Sequence, residues 1–475
     1  MMFRSGKLWL ALLVVAALAG GFALWRQRQP GVAVTLDPAL AALGHGKRTV
    51  RLTLRAPSAP LASVQVRVIQ AGAERTVLEE EFVGSERQAE RPIALEAAAL
   101  GLTEGAAELQ VFARDRLWRP RPDPGPRLVH RFTVDLTPPA LELRAATGYV
   151  RHAGVGLVVY RAAGATRSGI RVGSAFFPGV PGLTSDPGVH VALFAIPYSE
   201  PPAAPSVVAE DEAGNQRVIG VRVTFLPARF PKDTIRLTEA FLRRKVPELA
   251  PQTPETASSA ELLEAFLRVN REGRQAAEAK IREVTQTGSA PRPLWQGAFR
   301  QQPNTKVFAN FPEQRTYLAD GRVVDTQWHL GIDLASRKRT PVEAANAGRV
   351  VFTGANGIYG NTIVLDHGLG LHTLYGHLSE IGVKVGQSVT KGEPLGRSGE
   401  TGLAGGDHLH FAVLVHGVYA TPLEWWDAQW IRDRIARPLA EAGIRLEGIG
   451  DGAAVPDAEA SPALTPPAVQ PRKKR

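Results

Sequence analysis

The sequence predicts a multidomain, mainly β protein with an N-terminal transmembrane helix, two β-sandwich modules, a helical linker and a C-terminal β domain. Three observations carry this. Residues 8 to 25 are uninterruptedly apolar. From about Val32 to Leu226, and again around His329 and His408, apolar residues alternate with polar ones in short runs, the period of strands. Between those regions, residues 232 to 286 space their apolar side chains three and four apart, the period of helices. At 475 residues the chain is long for one domain, and its 44% hydrophobic share is ample for several cores.

The first element, Leu8 to Trp25, rises about 1.5 Å per residue as a helix and so nearly crosses a bilayer core. Ala17-Leu18-Ala19 offers a small-residue cleavage site, which would make the run an export signal. The apolar stretch continues through Trp25 to Arg26-Gln-Arg28, which favours an uncleaved anchor with an interfacial aromatic. Arg4 and Lys7 on one side balance Arg26 and Arg28 on the other, so charge does not set the orientation. Residues 1–30 form this segment.

Next come Val50-Arg-Leu-Thr-Leu, Val64-Gln-Val-Arg-Val-Ile, Leu109-Gln-Val-Phe-Ala and Phe132-Thr-Val-Asp-Leu, separated by Pro, Gly and Asp turns. They predict sandwich modules over 31–137 and 138–228. Asp135-Leu-Thr-Pro138-Pro139-Ala-Leu-Glu-Leu and Ala209-Glu-Asp211-Glu-Ala-Gly214-Asn215 resemble the start and a late hairpin of bacterial immunoglobulin-like repeats. Asp211 and Asn215 read as turn residues rather than calcium ligands. In the linker, 229–300, Leu237 to Leu242 and Ser259 to Leu267 predict two helices, with Ser258 or Ser259 as N-cap.

The chemistry concentrates in His329-Leu-Gly-Ile-Asp333, Tyr375-Gly-His377-Leu and Asp407-His408-Leu-His410-Phe. A catalytic zinc takes about three His or carboxylate ligands and keeps one position open for water. Four histidines and one aspartate are on offer. Trp328 to Leu334 alternates as one strand would, placing His329 and Asp333 on a common face with Gly331 leaving room between them. His408 to Val413 alternates likewise, with both imidazoles pointing one way and Leu409, Phe411 and Val413 inward. His377 ends an apolar run, as suits a rim residue that handles protons.

Any one of these histidines alone would ordinarily be a hydrogen-bonded structural residue. Their clustering argues otherwise: seven of eleven lie between His329 and His416, while His45, His130, His152 and His190 are scattered. His367, His372 and His416 read as mainly structural, with His367 in a Gly-rich turn a neighbour of the site.

Over residues 305 to 427 the chain resembles the M23 metallopeptidases, the lysostaphin and LytM-like family that cuts peptide bonds in bacterial peptidoglycan. Beyond the three segments, the resemblance rests on Pro341-Val342-x-Ala344, Gly348-Arg-Val350, Tyr359-Gly360-Asn361, His367-Gly368, Val385-Gly386, Lys391-Gly392, Gly396 and Thr401-Gly402 in the family's order. It implies an antiparallel-β LytM-like peptidase domain at 301–430, a single zinc held by His329, Asp333 and His410, and catalytic roles for His377 and His408. The imidazole pair would activate the water and stabilise the tetrahedral intermediate. Some relatives have lost ligands and serve as non-catalytic activators or scaffolds of other wall hydrolases. No departure occurs here at the five positions.

Competing patterns are weaker. Gly382 to Gly396 is also similar to the hairpin of lipoyl and biotinyl carriers, with Lys391 as the modified residue, but that leaves the histidines unexplained. Gly396-Arg-Ser398-Gly399-Glu400 lacks the last glycine of a nucleophile elbow. There is no His-Glu-x-x-His helix, and the absence of cysteine excludes thiolate zinc sites and disulfides. A net charge of +10 suits anionic lipid or wall polymer, and no nucleic-acid motif is visible. Residues 431–475 are expected to be a helix followed, from about Gly448, by a disordered Ala/Pro-rich basic tail. The expected partners are peptidoglycan, the inner membrane through the N-terminal helix, and envelope or division proteins, with the C-terminal bulk periplasmic. The linker helices, or Asn310 to Val324, are expected to govern substrate access.

Overall fold

The structure is a computed structural model that describes residues 5–121, 124–286 and 288–449. The basic tail expected at the C-terminus lies, from residue 450, outside the described residues, as does Arg4. The chain forms two compact units, Met1–Leu141 with Ala162–Ser168 and Val208–Val218, and Glu142–Arg161 with Gly169–Val207 and Ile219–Arg475.

In the first unit the apolar N-terminal run is a helix, Ser5–Arg28, with Leu12, Leu13, Phe22 and Trp25 exposed. By length and composition its Trp9–Arg28 stretch can cross a membrane. Two sheets follow. One orders Ala33–Asp37, Arg48–Arg55 and Gln88–Leu95; the other orders Ala42–Leu43, Leu128–Val134, Gly105–Asp115, Leu61–Gln70 and Ala73–Glu81. The period-two pattern explains their packing: Val64, Val66 and Val68 are buried while Gln65 and Arg67 between them are not, and Val50, Leu52 and Leu54 join the same core from the other sheet. Asp211 and Asn215 close a turn on themselves. The Asp211 carboxylate accepts the Asn215 backbone and amide N–H at 2.8 and 2.9 Å, and the Asn215 amide also reaches Asp135 O at 2.8 Å.

The second unit is built on an antiparallel sheet ordered Lys306–Ala309, Ile332–Ala335, Leu409–Val415, Leu371–Leu378, Asn361–Gly368, Gly348–Ala355 and Ser388–Val389, with Val418–Ala420 paired to Leu409–Val415. Leu371–Leu378 and Leu409–Val415 are buried at every position. Such strands need cover on both faces, and the rest of the unit supplies it. Trp295, Phe299 and Trp425 form an aromatic cluster with ring centroids 5.3 to 5.9 Å apart, and Phe299 meets His367 edge-on at 4.9 Å. The linker is helical as expected: Glu239–Leu249 is capped by Thr238, and Ser259–Arg268 starts with a capping box between Ser258 and Glu261. The second of these runs on through a π-helical turn, Val269–Gly273, into Arg274–Gln286, whose Ala277 carbonyl accepts the Asn356 amide at 3.2 Å. The C-terminal helical turns begin with Leu423–Trp426, whose N-cap Pro422 has helical backbone angles.

A second sheet, ordered Val180–Pro181, Val189–Ala195, Val155–Ala163 and Ala140–Ala146, docks within this unit. Thr147 Oγ1 donates to Arg434 O at 2.7 Å, Thr421 N–H donates to Ala153 O at 2.8 Å, and Phe177 packs edge-on against His416 at 6.4 Å. At this seam Glu424 accepts the Val155 N–H at 2.8 Å. Burial pushes its carboxyl up to about 8, against the opposing pull of that N–H and of Arg151 and Arg434.

A carboxyl that is neutral when folded yet ionises near 4.5 when unfolded contributes stability that is full below pH 4.5 and lost as pH rises through about 8. Glu424→Gln, neutral at all pH, is therefore expected to flatten the fall in melting temperature over that window and to raise it above pH 8. Superimposable melting-temperature profiles for the two proteins would refute this.

Candidate metal centre and histidine pair

The site sits where the large antiparallel sheet of the second unit meets a hairpin of a separate three-stranded sheet. Glu313–Ala319 and Arg322–His329 pair antiparallel, with Glu313 opposite His329, and the chain then breaks at Leu330-Gly331 before resuming as Ile332–Ala335. The single strand expected over 328–334 is thus two strands in different sheets. His329 and Asp333 still converge, because the bend between them turns both side chains to one point. Gly331 makes room for a third group: a Cβ there would lie 2.4 Å from His410 Nε2 and 2.9 Å from Phe411 O. In the main sheet Asp333 pairs with His410, and His410 with Gly376, so register brings the three segments together.

His329 Nε2 lies 2.9 Å from Asp333 Oδ1 and 3.1 Å from His410 Nδ1, and the latter lies 3.0 Å from the same carboxylate oxygen. All three residues are buried. The His329 Nδ1–H donates to Asn310 O at 3.1 Å, which turns the Nε2 lone pair inward. Two imidazole nitrogens and a carboxylate oxygen within 3.1 Å of one another are a donor set suited to a divalent metal. Burial itself pushes Asp333 up, but His329 together with hydrogen bonds from His408 and His410 hold it well below the usual carboxylate range. Burial lowers His329, and lowers His410 to about 4, keeping both lone pairs available.

The other two histidines stand beside this trio. His377 and His408 rings are 4.8 Å apart, and His377 is 5.7 Å from His410. His377 is not at a rim: it is 6% exposed, in the left-handed conformation at φ 62°, near the end of a strand enclosed on both faces. Its Nδ1–H donates to Thr401 O at 2.8 Å, and the His408 Nδ1–H donates to Gly406 O at 2.8 Å. Each ring is therefore held through Nδ1 with Nε2 on the site side, where that of His408 faces the Asp333 carboxylate. Burial, reinforced by His408 and His410, holds His377 well below its ordinary value. Burial lowers His408 too, yet the Asp333 carboxylate, 3.4 Å from its Nε2, raises it overall.

Two residues of the site carry no sequence signal. Arg315 donates from Nη2 to Asp333 Oδ2 and from Nε to Glu313 Oε1, both at 3.0 Å. It occupies the carboxylate oxygen that faces away from the histidines. Glu-x-Arg on a hairpin is common, and only the fold brings this one to Asp333. His367, by contrast, bonds Ala347 O and Thr373 Oγ1 at 2.7 Å, His372 bonds Gly370 O at 3.0 Å, and His416 lies against Phe177; none joins the cluster. Lys391, the residue a carrier would present at a free tip, is tied to Ala298 O.

Residues 327–422 match Peptidase family M23. Over 125 residues the chain is 38% identical to the peptidoglycan DD-endopeptidase ShyA of Vibrio cholerae, which is 26% of this chain and 28% of that protein. It is 40% identical over 95 residues to the DD-carboxypeptidase/endopeptidase Mpg of Neisseria meningitidis, 20% of this chain and 22% of that one. The chain therefore spans only about a quarter of the length of these curated relatives. Among solved structures, the catalytic domain of lysostaphin from Staphylococcus simulans aligns at 33% identity over 22% of this chain and 81% of that domain, with a TM-score of 0.20.

Gly331→Ala is expected to push the His410 ring out of place, since its Cβ has no free volume. A stability loss of about 1–3 kcal/mol, as overpacking typically costs, and weaker divalent-metal binding by titration calorimetry are the expected results. Unaltered metal affinity would count against the packing role assigned to Gly331.

Proposed function

From the premise that residues 327–422 are a Peptidase family M23 domain, we propose that this protein is a zinc-dependent endopeptidase that hydrolyses peptide cross-links in peptidoglycan. The observation that supports this best is the buried convergence of His329, Asp333 and His410 beside a second, separately oriented histidine pair. The names of its relatives, peptidoglycan DD-endopeptidases among them, point to the same polymer.

In this reading His329, Asp333 and His410 hold the metal. Bound there, zinc supplies Lewis acidity toward the scissile carbonyl and lowers the pKa of water toward neutrality. The chain's own residues do the rest. His377 and His408, with Nδ1 committed to backbone carbonyls, present Nε2 to the reacting atoms. One imidazole accepts the proton of the attacking water as its oxygen adds to the carbonyl carbon. The other donates a hydrogen bond to the developing oxyanion, and the proton is returned to the amine as the C–N bond breaks. Arg315 fixes the Asp333 rotamer through Oδ2, leaving Oδ1 toward the histidines.

The N-terminal helix fits an inner-membrane anchor with the remaining bulk on the periplasmic side, where the substrate lies. The first sandwich then acts as a spacer between membrane and wall. A net charge of +10 favours encounter with an anionic polymer.

His329→Ala and Asp333→Ala are expected to abolish both zinc binding and turnover. His377→Ala and His408→Ala are expected to retain zinc while kcat falls by about 100-fold or more, within the range of general acid–base assistance. The measurement is mass analysis of muropeptides released from defined sacculi, with and without a zinc chelator. Full activity of His408→Ala, or release that continues undiminished after chelation, would overturn the assignment.

A further inference from the structure

Three glycines, Gly402, Gly405 and Gly406, lie in the irregular loop between Gly399 and His408, and the last two have open space where a Cβ would be. Such a loop has high conformational freedom and does not by itself fix where its carbonyls point. Yet two of those carbonyls, Thr401 O and Gly406 O, orient His377 and His408. The peptidase sheet holds part of the loop: the Thr401 hydroxyl donates to Leu378 O and accepts from the Asn361 N–H, both at 2.9 Å, and Leu403 N–H donates to Ile358 O at 2.8 Å.

Asp407 at the end of the loop accepts from Ser398 Oγ at 2.6 Å and from the Arg339 N–H at 2.9 Å, and further ties come from the linker helix Glu239–Leu249. Lys245, 2% exposed, donates from Nζ to Glu400 O and pairs with Glu248 at 3.0 Å. Glu248 Oε1 accepts the Gly402 N–H at 2.5 Å, and Arg244 Nη2 donates to Gly405 O at 2.9 Å. Leu403 packs against the helical core of Leu242, Val246, Leu262 and Phe266. The helix thus grips Glu400 and Gly402, the two neighbours of Thr401, and Gly405, the neighbour of Gly406. A buried ammonium is costly unless it is paired, and among the described residues Lys245 is paired only with this loop and with Glu248, which also holds it.

We propose that Lys245 and Glu248 are positioning residues for the reaction, acting from outside the M23 domain by setting the Thr401 carbonyl that orients His377, with Arg244 steadying Gly405 next to the carbonyl that orients His408. The linker helix then completes the active site, and displacing it leaves the metal ligands in place but the histidine pair unaligned. This rests on the hydrolase reading.

The test uses the full-length, zinc-loaded protein and a soluble cross-linked muropeptide dimer. Lys245→Met and Glu248→Ala are expected to lower kcat by about 10- to 100-fold, the usual cost of losing an outer-shell partner, with KM and zinc affinity essentially unchanged. Glu248→Gln, which keeps the acceptor oxygen, is expected to stay near wild type. Hydrogen exchange across residues 399–406 should quicken in Lys245→Met and Glu248→Ala. Glu248 is exposed, so its variant stays informative if Lys245→Met fails to fold. Wild-type kcat in Glu248→Ala, or equal losses in the Ala and Gln variants, would overturn the proposal. If the zinc-loaded wild type leaves the dimer intact, the hydrolase reading fails by itself. The exchange measurement then decides the clamp, unchanged rates at 399–406 refuting it.

Discussion

The site depends on one buried carboxylate. Asp333 is 3% exposed and contacts His329, His408, His410 and Arg315. An ionised carboxyl removed from water is costly unless it is fully partnered, so every neighbour of Asp333 is constrained in turn. Arg315 takes one oxygen and the imidazoles surround the other. Loss of Arg315 would leave Asp333 short of positive charge, and loss of Asp333 would leave three imidazoles facing each other with nothing to hold them in place. Antiparallel pairing across Asp333, His410 and Gly376 is what brings His410 Nδ1 to 3.0 Å from Asp333 Oδ1, and Gly376 beside His410 keeps that strand crossing close.

The scaffold is stiff for a related reason. Strands buried on both faces cannot slide without exposing one of them, and a one-residue slip of Leu409–Val415 would exchange His410 for a neighbour of opposite direction. The aromatic cluster at Trp295, Phe299 and Trp425, the helix Arg274–Gln286 and the docked sheet of Val155–Ala163 all contribute to that cover. Catalytic geometry of this kind tolerates little displacement, and rigid strands carry the proposed ligands while a glycine-rich loop, gripped by a helix from outside the domain, carries the carbonyls that orient the remaining histidines.

Much of this was legible in the residues. The apolar run, the alternating valines and leucines of the first sandwich, the helical spacing with Ser258 as cap, and the clustering of seven histidines each reflect local physics that needs no partner to express it. The misreadings share one cause. Trp328 to Leu334 alternates as a strand, but two sheets compete for its halves and the chain bends at Gly331. His377 ends an apolar run, but a positive φ and enclosure on both faces place it inside rather than at a rim. Lys391 has the local pattern of a carrier lysine, yet it is committed to Ala298.

Residue type and short-range spacing by themselves determined the mainly β architecture, the apolar N-terminal helix and the clustering of the histidines and aspartate proposed to form the site, because periodicity and side-chain chemistry are local properties. Tertiary structure alone decided which acceptor each ring nitrogen faces, that Arg315 guards Asp333, and that Lys245 and Glu248 reach the Thr401–Gly406 loop more than 150 positions away. Those are long-range hydrogen bonds between common residue types. Their partners are chosen by packing and by the cost of leaving buried charge unpaired, and neither quantity is written in any one segment.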